Sequence, residues 1–128
     1  MRLLLDTCTF LWLALEPDRL SGTAVEKINE EENLLFLSEV SSWEIALKYT
    51  AQKLPLPEVP GIWVPSRRGF FGIAPLPITE RVIFRTCELL TKHLDPFDRL
   101  LAAHAEEEGL TILSPETKLD ELGARRLW

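Results

Sequence analysis

The sequence predicts a layered α/β domain built around a parallel sheet. Three short apolar runs carry this prediction, at residues 2–6, 34–37 and 110–113. Runs this short and this uniformly apolar are typical of strands buried on both faces, as strands of parallel sheets are. Helical segments separate the runs. Strands that alternate with helices form layered domains through right-handed crossovers.

The remaining elements follow in chain order. Helices are predicted at residues 10–15, 23–31, 39–52, 80–92 and 97–108. Two weaker strands are predicted at 70–74 and 125–128, the second at a sheet edge. Six of the nine prolines lie between residues 54 and 78, which predicts loops or short helical turns there.

Length and composition predict one domain over residues 1–128, because 128 residues with 46% hydrophobic content can bury a core unaided. No apolar run approaches the roughly 18 residues that span a bilayer, and no signal-type segment begins the chain, so we expect a soluble cytoplasmic protein. Cys8 and Cys87 form no CxxC pair and are expected to be reduced, partly buried thiols. The net charge of −6 argues against broad nucleic-acid binding without a local basic strip or bound cations.

Asp6 is the last residue of the first apolar run. In open α/β sheets, ligands bind outside the carboxyl ends of the strands, where Asp6 would lie. A helix N-cap explains the same residue equally well.

Glu44 has two structural explanations: a capping box with Ser41 and an ion pair with Lys48. An apolar stripe predicts that the Glu44 carboxylate lies beside the core, where an acid must be paired, protonated or bound to a cation. The stripe consists of Val40, Trp43, Leu47, Ala51 and Leu54.

The segment from Asp95 to Ala105 begins a helix, with Asp95 as the cap and Pro96 at the first helical position. Asp98 is then expected on the same helix face as Leu101, pointing into the crevice.

Glu116 follows the last apolar run, where it is either a metal ligand or an acid favoured by the helix dipole, and Asp120 is expected at the surface. Asp6, Glu44, Asp98 and Glu116 are thus all expected near the carboxyl ends of strands. Carboxylates gathered in one crevice repel each other unless a divalent cation holds them. Mg²⁺ or Mn²⁺ fits, because both are hard cations that bind carboxylates and phosphates.

These residues resemble the PIN-domain family, particularly the VapC-type ribonuclease toxins of toxin-antitoxin pairs. The matching segments are LLLDTCTFLWLA at 3–14, LSEVSSWEIALKYTAQKLPLP at 37–57, LPIT at 76–79 and HLDPFDRLLAAHAEEEGLTILSPE at 93–116. The resemblance implies a three-layer α/β/α domain with a central parallel sheet, paired as a homodimer and working beside a small VapB-type antitoxin.

The resemblance further implies that Asp6, Glu44 and Asp98 form an acidic metal site, with Glu116 as its fourth acid and Asp95 as an additional one. Two residues depart from the family pattern. Many relatives have histidine where this chain has Cys8, and their fourth acid is usually an aspartate in a Thr-x-Asp stretch rather than Glu116.

The expected activity is metal-assisted hydrolysis of RNA phosphodiesters with one or two Mg²⁺ or Mn²⁺ ions. RNA approaching an acidic protein needs a basic rim, for which the candidates are Lys48, Arg67, Arg68, Arg85 and Arg99.

Three other functions compete with this hypothesis. A catalytically degenerate PIN domain would bind protein or RNA without cleaving it. A haloacid-dehalogenase-like phosphatase needs a second aspartate where Cys8 stands. A receiver domain needs a lysine at the end of a late strand, where this chain has Ser114-Pro115-Glu116.

Overall fold

A computed structural model of the chain describes residues 1–92 and 95–128; His93 and Leu94, which begin the matching segment at 93–116, lie outside the described residues. In these described ranges, five parallel strands form one sheet in the order β3-β2-β1-β4-β5. The strands are β1 (Arg2–Leu5), β2 (Leu34–Ser38), β3 (Ile73–Leu76), β4 (Thr111–Leu113) and β5 (Arg126–Leu127). The predicted parallel sheet and edge strand are confirmed.

Seven α-helices connect the strands within the described ranges, and short 3-10 helices cover Pro17–Arg19 and Thr86–Glu88. The α-helices are α1 (Thr7–Leu15), α2 (Gly22–Asn29), α3 (Glu39–Thr50), α4 (Pro60–Phe71), α5 (Glu80–Arg85), α6 (Pro96–Glu108) and α7 (Lys118–Glu121).

The central strand β1 separates two hydrophobic layers, because successive side chains of a strand point to opposite faces. Leu3 and Leu5 belong to the core cluster that includes Phe10 and Trp63. Leu4 belongs to the cluster on the other face, formed largely by α6, β4 and α7. Helices therefore cover the sheet on both faces, which confirms the three-layer α/β/α architecture.

The proline-rich connection differs from the prediction. Residues 60–71 form a complete helix, α4, which begins at Pro60 and contains Pro65 in its interior. Burial of Trp63 and Val64 against the core holds this helix despite the missing hydrogen bond at Pro65. The strand predicted at 70–74 is shifted to Ile73–Leu76, because α4 extends through Phe71 and ends at Gly72 in the left-handed conformation (φ 67°).

The apolar stripe predicted along α3 is also wrong. The buried side chains of this helix are Val40, Ser41 and Ile45, whereas Trp43 and Leu47 are exposed. A tertiary hydrogen bond explains the difference, since the Thr7 hydroxyl donates to the Ser41 hydroxyl (2.9 Å) and makes burial of a serine tolerable. The capping box of Ser41 and Glu44 is wrong as well, because Ser38 caps α3.

The two cysteines are free, as predicted, but only Cys8 is half-buried; Cys87 is exposed. In the ranges that the structure describes, no helix is long and apolar enough to cross a membrane.

Candidate acidic site

The acidic residues meet at the point where the order of the strands reverses. The chain passes from β1 to β2 on one side and returns to β4 on the other side of β1. Crevices at such switch points are the usual ligand sites of open α/β sheets. A cavity of about 220 Å³ opens here. Its lining residues are Asp6, Glu44, Asp95, Asp98, Glu116, Lys48, Lys118, Thr7, Cys8, Leu11 and Leu101.

Asp6 forms the floor of this acid pocket and is only 5% exposed. Its Oδ1 accepts a hydrogen bond from the Thr9 backbone N–H (2.8 Å), so Asp6 is the N-cap of α1. Its Oδ2 accepts from the Ser114 hydroxyl (2.5 Å). The cap and the pocket position are therefore compatible, because the same carboxylate serves the helix and faces the cavity.

Burial changes the pKa values of Asp6 and Cys8 at the bottom of the pocket. Burial raises the pKa of Asp6 above its ordinary value, and the hydrogen bonds from Ser114 and Thr9 oppose the rise only in part. The pKa of the Cys8 thiol is raised by burial first and then by the negative charge of Asp6, whose two oxygens both lie 3.5 Å from Sγ. Cys8 is therefore a protonated thiol that donates to Asp6.

Helix α3 brings Glu44 to one wall. The Glu44 side chain is 16% exposed, and its Oε2 accepts from Lys48 Nζ at 2.8 Å. The predicted ion pair is thus present, and both members line the pocket. Among the described residues its one cationic partner is Lys48, so this carboxylate, mostly withdrawn from water, retains lone pairs for a further ligand.

Helix α6 brings two more acids. Asp95 is its N-cap, with Oδ1 accepting from the backbone N–H groups of Phe97 (2.9 Å) and Asp98 (3.3 Å). Asp98 lies in the first turn, where the helix dipole favours negative charge, and it lines the pocket beside Leu101. The structure therefore places both predicted acids of this segment at the site.

The turn after β4 closes the pocket. The Ser114 hydroxyl donates to Asp6 and accepts from the Glu116 backbone N–H (3.0 Å), so one side chain positions both segments. Glu116 lines the pocket from an exposed position. Asp120 lies outside it, exposed and paired with Arg126 (2.9 Å), as predicted for a surface residue.

Sequence reasoning missed two residues of this turn. The part played by Ser114 depends on the register that aligns Leu5 with Leu113, which only the fold shows. Lys118 could have been recognised from the sequence. A positive charge at the first position of a helix is unfavourable to the helix dipole, so a lysine there suggests a role other than helix stability. In residues 1–92 and 95–128, the Lys118 side chain makes no hydrogen bond or ion pair.

The arginines predicted for a basic rim lie elsewhere. Arg67 stacks on Phe70, at 4.8 Å from the ring centroid, and Arg68 lines a separate cavity beside α4. Arg99 donates to the backbone carbonyls of Thr91 (2.8 Å) and Thr86. Arg85 is paired with Glu106 (2.7 Å) and Glu88 (2.8 Å). Lys48 and Lys118 are the cations that line the pocket.

The donor set of the pocket suits a hard divalent cation. Five carboxylates face the cavity, and burial of Asp6 disfavours its ionised form unless a positive charge compensates it. Within the described part of the chain, no three His, Cys, Asp or Glu side chains are arranged to hold a metal ion as they stand. The residues thus fit a cation in their chemistry, and their side chains would have to converge to bind one.

The fold and this pocket together define an α/β protein with an acid-lined site at its switch point. A family model of the PIN domain matches residues 3–124, and the chain belongs to the PIN-domain family.

Among curated proteins, Ribonuclease VapC16 of Mycobacterium tuberculosis is 38% identical over 64 residues. That match covers 47% of this chain and 45% of the relative, so it spans less than half of either protein.

Solved structures show the same fold over nearly the whole chain. VapBC2 from Rickettsia felis, bound to a DNA fragment from its promoter, has a TM-score of 0.73 at 17% identity, covering 99% of this chain and 98% of that chain. DNA-bound VapBC from Salmonella typhimurium has a TM-score of 0.68 at 19% identity, covering 99% and 97%. FitAcB from Neisseria gonorrhoeae has a TM-score of 0.67 at 20% identity, covering 98% and 96%.

Proposed function

We propose that this protein is a metal-dependent endoribonuclease that hydrolyses RNA phosphodiester bonds. The observation that carries the proposal is the gathering of five carboxylates from four separate chain segments around one cavity, with Asp6 buried at its floor. The ribonuclease name of the Mycobacterium tuberculosis relative supports the same reaction class.

The acids and lysines of the pocket each have a part in this proposal. Asp6, Glu44, Asp98 and Glu116 would hold Mg²⁺ or Mn²⁺, with Asp95 as an additional acid. A bound cation supplies Lewis acidity, which lowers the pKa of water and neutralises charge on the phosphate. Glu44 would either bind the cation or orient the attacking water. Lys118 and Lys48 would hold the phosphate against the negative charge of the acids.

The biological setting is proposed from the family resemblance. Solved structures with this fold include VapBC from two bacteria. The protein would therefore be the toxin of a toxin-antitoxin pair, acting in the cytoplasm as a homodimer and inhibited by a small VapB-type antitoxin. Expression alone should arrest growth, and expression with the antitoxin should restore it.

The decisive experiment is RNA cleavage with matched aspartate variants. Wild-type protein and Asp18→Asn, whose changed residue is exposed and outside the pocket, should cleave RNA in Mg²⁺ or Mn²⁺ and stop in EDTA. Asp6→Asn and Asp98→Asn should lose at least about 100-fold in rate, as for loss of a group that stabilises the transition state. Equal cleavage by all four proteins would indicate a contaminating nuclease and reject the proposed site.

A further inference from the structure

The side chain of Arg126 joins the two ends of the segment that carries the last pocket residues. That segment, residues 114–120, runs from the end of β4 into α7 and contains Glu116 and Lys118. Arg126 itself lies on the edge strand β5, outside the acid pocket. Its guanidinium can reach the segment because β5 pairs with β4, with Arg126 opposite Ile112.

Three hydrogen bonds fix the guanidinium of Arg126 to this segment. Nη1 donates to the Ser114 carbonyl at 3.0 Å, while Nε and Nη2 donate to the two carboxylate oxygens of Asp120 at 3.0 and 2.9 Å. Only 17% of the Arg126 side chain is exposed. The hydrogen bonds from Arg126 lower the pKa of Asp120, so this pair stays ionised at neutral pH.

Ser114 connects Arg126 with two of the pocket acids. The Ser114 side chain is fully buried, donates to the Asp6 carboxylate and accepts from the Glu116 backbone N–H. Arg126 binds the carbonyl of the same residue, and the following Pro115 restricts the Ser114 backbone further. A guanidinium from outside the pocket thus fixes the residue whose hydroxyl joins Asp6 to the turn of Glu116.

From this chain of contacts we propose that Arg126 is a positioning residue, which sets the distance between Asp6 and Glu116 for binding of a shared divalent cation. The inference rests on the proposed function and names a residue on which that metal site depends. Asp120 takes part as the carboxylate that orients the guanidinium. Residues behind the direct ligands control metal affinity in this way, because they fix the orientation of the ligands.

The sign of the effect separates positioning from charge. A guanidinium near the pocket repels a cation, so removal of its charge alone would strengthen cation binding. Loss of positioning weakens cation binding instead, because Asp6 and Glu116 must then be brought together when the cation binds. Arg126→Lys keeps the charge but cannot donate to the Ser114 carbonyl and to both oxygens of Asp120, so this variant isolates the geometry.

The test measures Mn²⁺ binding by electron paramagnetic resonance of the free ion, under conditions where urea unfolding shows each variant to be folded. Arg126→Met and Arg126→Lys should each weaken binding about 10-fold or more, as for other residues that orient metal ligands. In a Ser114→Ala background, Arg126→Met should weaken binding less than about threefold further, because the hydroxyl that Arg126 positions is gone.

Arg85→Met is the matched control. Arg85 also makes three hydrogen bonds to carboxylates, two to Glu106 and one to Glu88, and it lies outside the acid pocket. This variant should leave Mn²⁺ affinity within about twofold of the wild type. Hydrogen exchange of the Glu116 amide, measured without metal, should become faster in Arg126→Met and stay unchanged in Arg85→Met.

Unchanged or higher Mn²⁺ affinity in both Arg126 variants, beside a wild-type protein that binds Mn²⁺, would overturn the role of Arg126 and leave the proposed function standing. An equal loss of affinity with and without the Ser114 hydroxyl would also overturn that role, because Arg126 would then act through general stability. Absence of Mn²⁺ binding by the wild type would overturn the proposed metal-dependent function together with the role of Arg126.

Discussion

Asp6 combines two requirements that oppose each other. In the proposed metal site the carboxylate would have to be ionised to hold a cation, yet burial raises its pKa and makes the ionised form costly. Because the raised pKa belongs to the folded state, the ionised side chain reduces stability at pH values above the ordinary aspartate pKa. A residue that costs stability where it stands is typical of a functional site.

Asp6→Asn should therefore increase the free energy of unfolding at pH 7 by about 0.5–2 kcal/mol while abolishing cleavage. The side-chain oxygen of asparagine can still accept a hydrogen bond from the Thr9 N–H, so the helix cap is kept. Urea unfolding measures the effect, and Asp18→Asn should stay within about 0.5 kcal/mol of the wild type. A loss of stability in Asp6→Asn would contradict the assignment of a buried, costly charge.

Lys118 should act on substrate affinity. Lys118→Met removes a pocket cation that has no ion pair among the described residues, so KM for RNA should rise about fivefold, equivalent to about 1 kcal/mol. The slope of log affinity against log salt should become shallower by about one. Lys53→Met, at an exposed position outside the pocket, should change neither quantity. Equal effects of the two variants would show that RNA affinity depends on the net charge of the protein and not on a lysine in the pocket.

The burial of His104, which does not line the acid pocket, predicts that the stability of the fold depends on pH. It is fully buried, with Nδ1 at 2.9 Å from the Ser38 hydroxyl. Among the residues that the structure describes, Nε2 has no partner of acceptable hydrogen-bond geometry. Burial lowers the pKa of His104, and the charges of Glu108 and Glu39 and the Pro77 carbonyl oppose this only in part.

Between the lowered folded pKa and about 6.5, the unfolded chain binds a proton that the folded chain does not. The contribution of His104 is thus present above about pH 6.5 and is lost as the pH falls towards and through the folded pKa. Urea unfolding at pH 8, 6.5 and 5 should show this decline. His104→Gln should reduce the decline, and an unchanged pH profile in that variant would refute the assignment.

At the scale of the elements, the apolar runs identified the interior strands because each is buried by the layers on both sides. The position of α3 in the chain was predicted correctly, but its buried face was not. The hydrogen bond between Thr7 and Ser41, which explains the buried face, joins residues 34 positions apart and leaves no local sequence pattern. Arg67 and Arg68 were expected at the site because they lie in the proline-rich connection. They belong instead to α4, whose path depends on tertiary burial of Trp63, which overrides the local signal of the prolines.

Helix α4 offers a direct test of that override. Pro65 lies in the helix interior and is exposed, so it removes a backbone hydrogen bond without contributing to the core. Pro65→Ala should raise the free energy of unfolding by about 1–3 kcal/mol, a range that allows for the extra freedom gained by the unfolded chain. Thermal unfolding checks this, and a lowered Tm would mean that the proline is needed to shape the connection.

At the scale of the whole molecule, the strand order brings distant acids to one place. Asp6 and Ser114 are 108 positions apart and share a hydrogen bond because β1 and β4 are neighbours. The acids could be predicted from the sequence, since each lies in or next to a recognisable element. Their convergence in one crevice was also expected, from the carboxyl ends of the inferred strands. The position of Lys118 at the same cavity was not, because it depends on the turn after β4.

Calorimetric titration with Mn²⁺ tests the central claim most directly, since it measures the shared cation without requiring a known RNA. Wild-type protein and Asp18→Asn should bind one or two ions, while Asp6→Asn and Asp98→Asn should lose binding by at least about tenfold. Equal Mn²⁺ affinity in all four proteins, or no binding by a wild-type protein that cleaves RNA, would contradict the account.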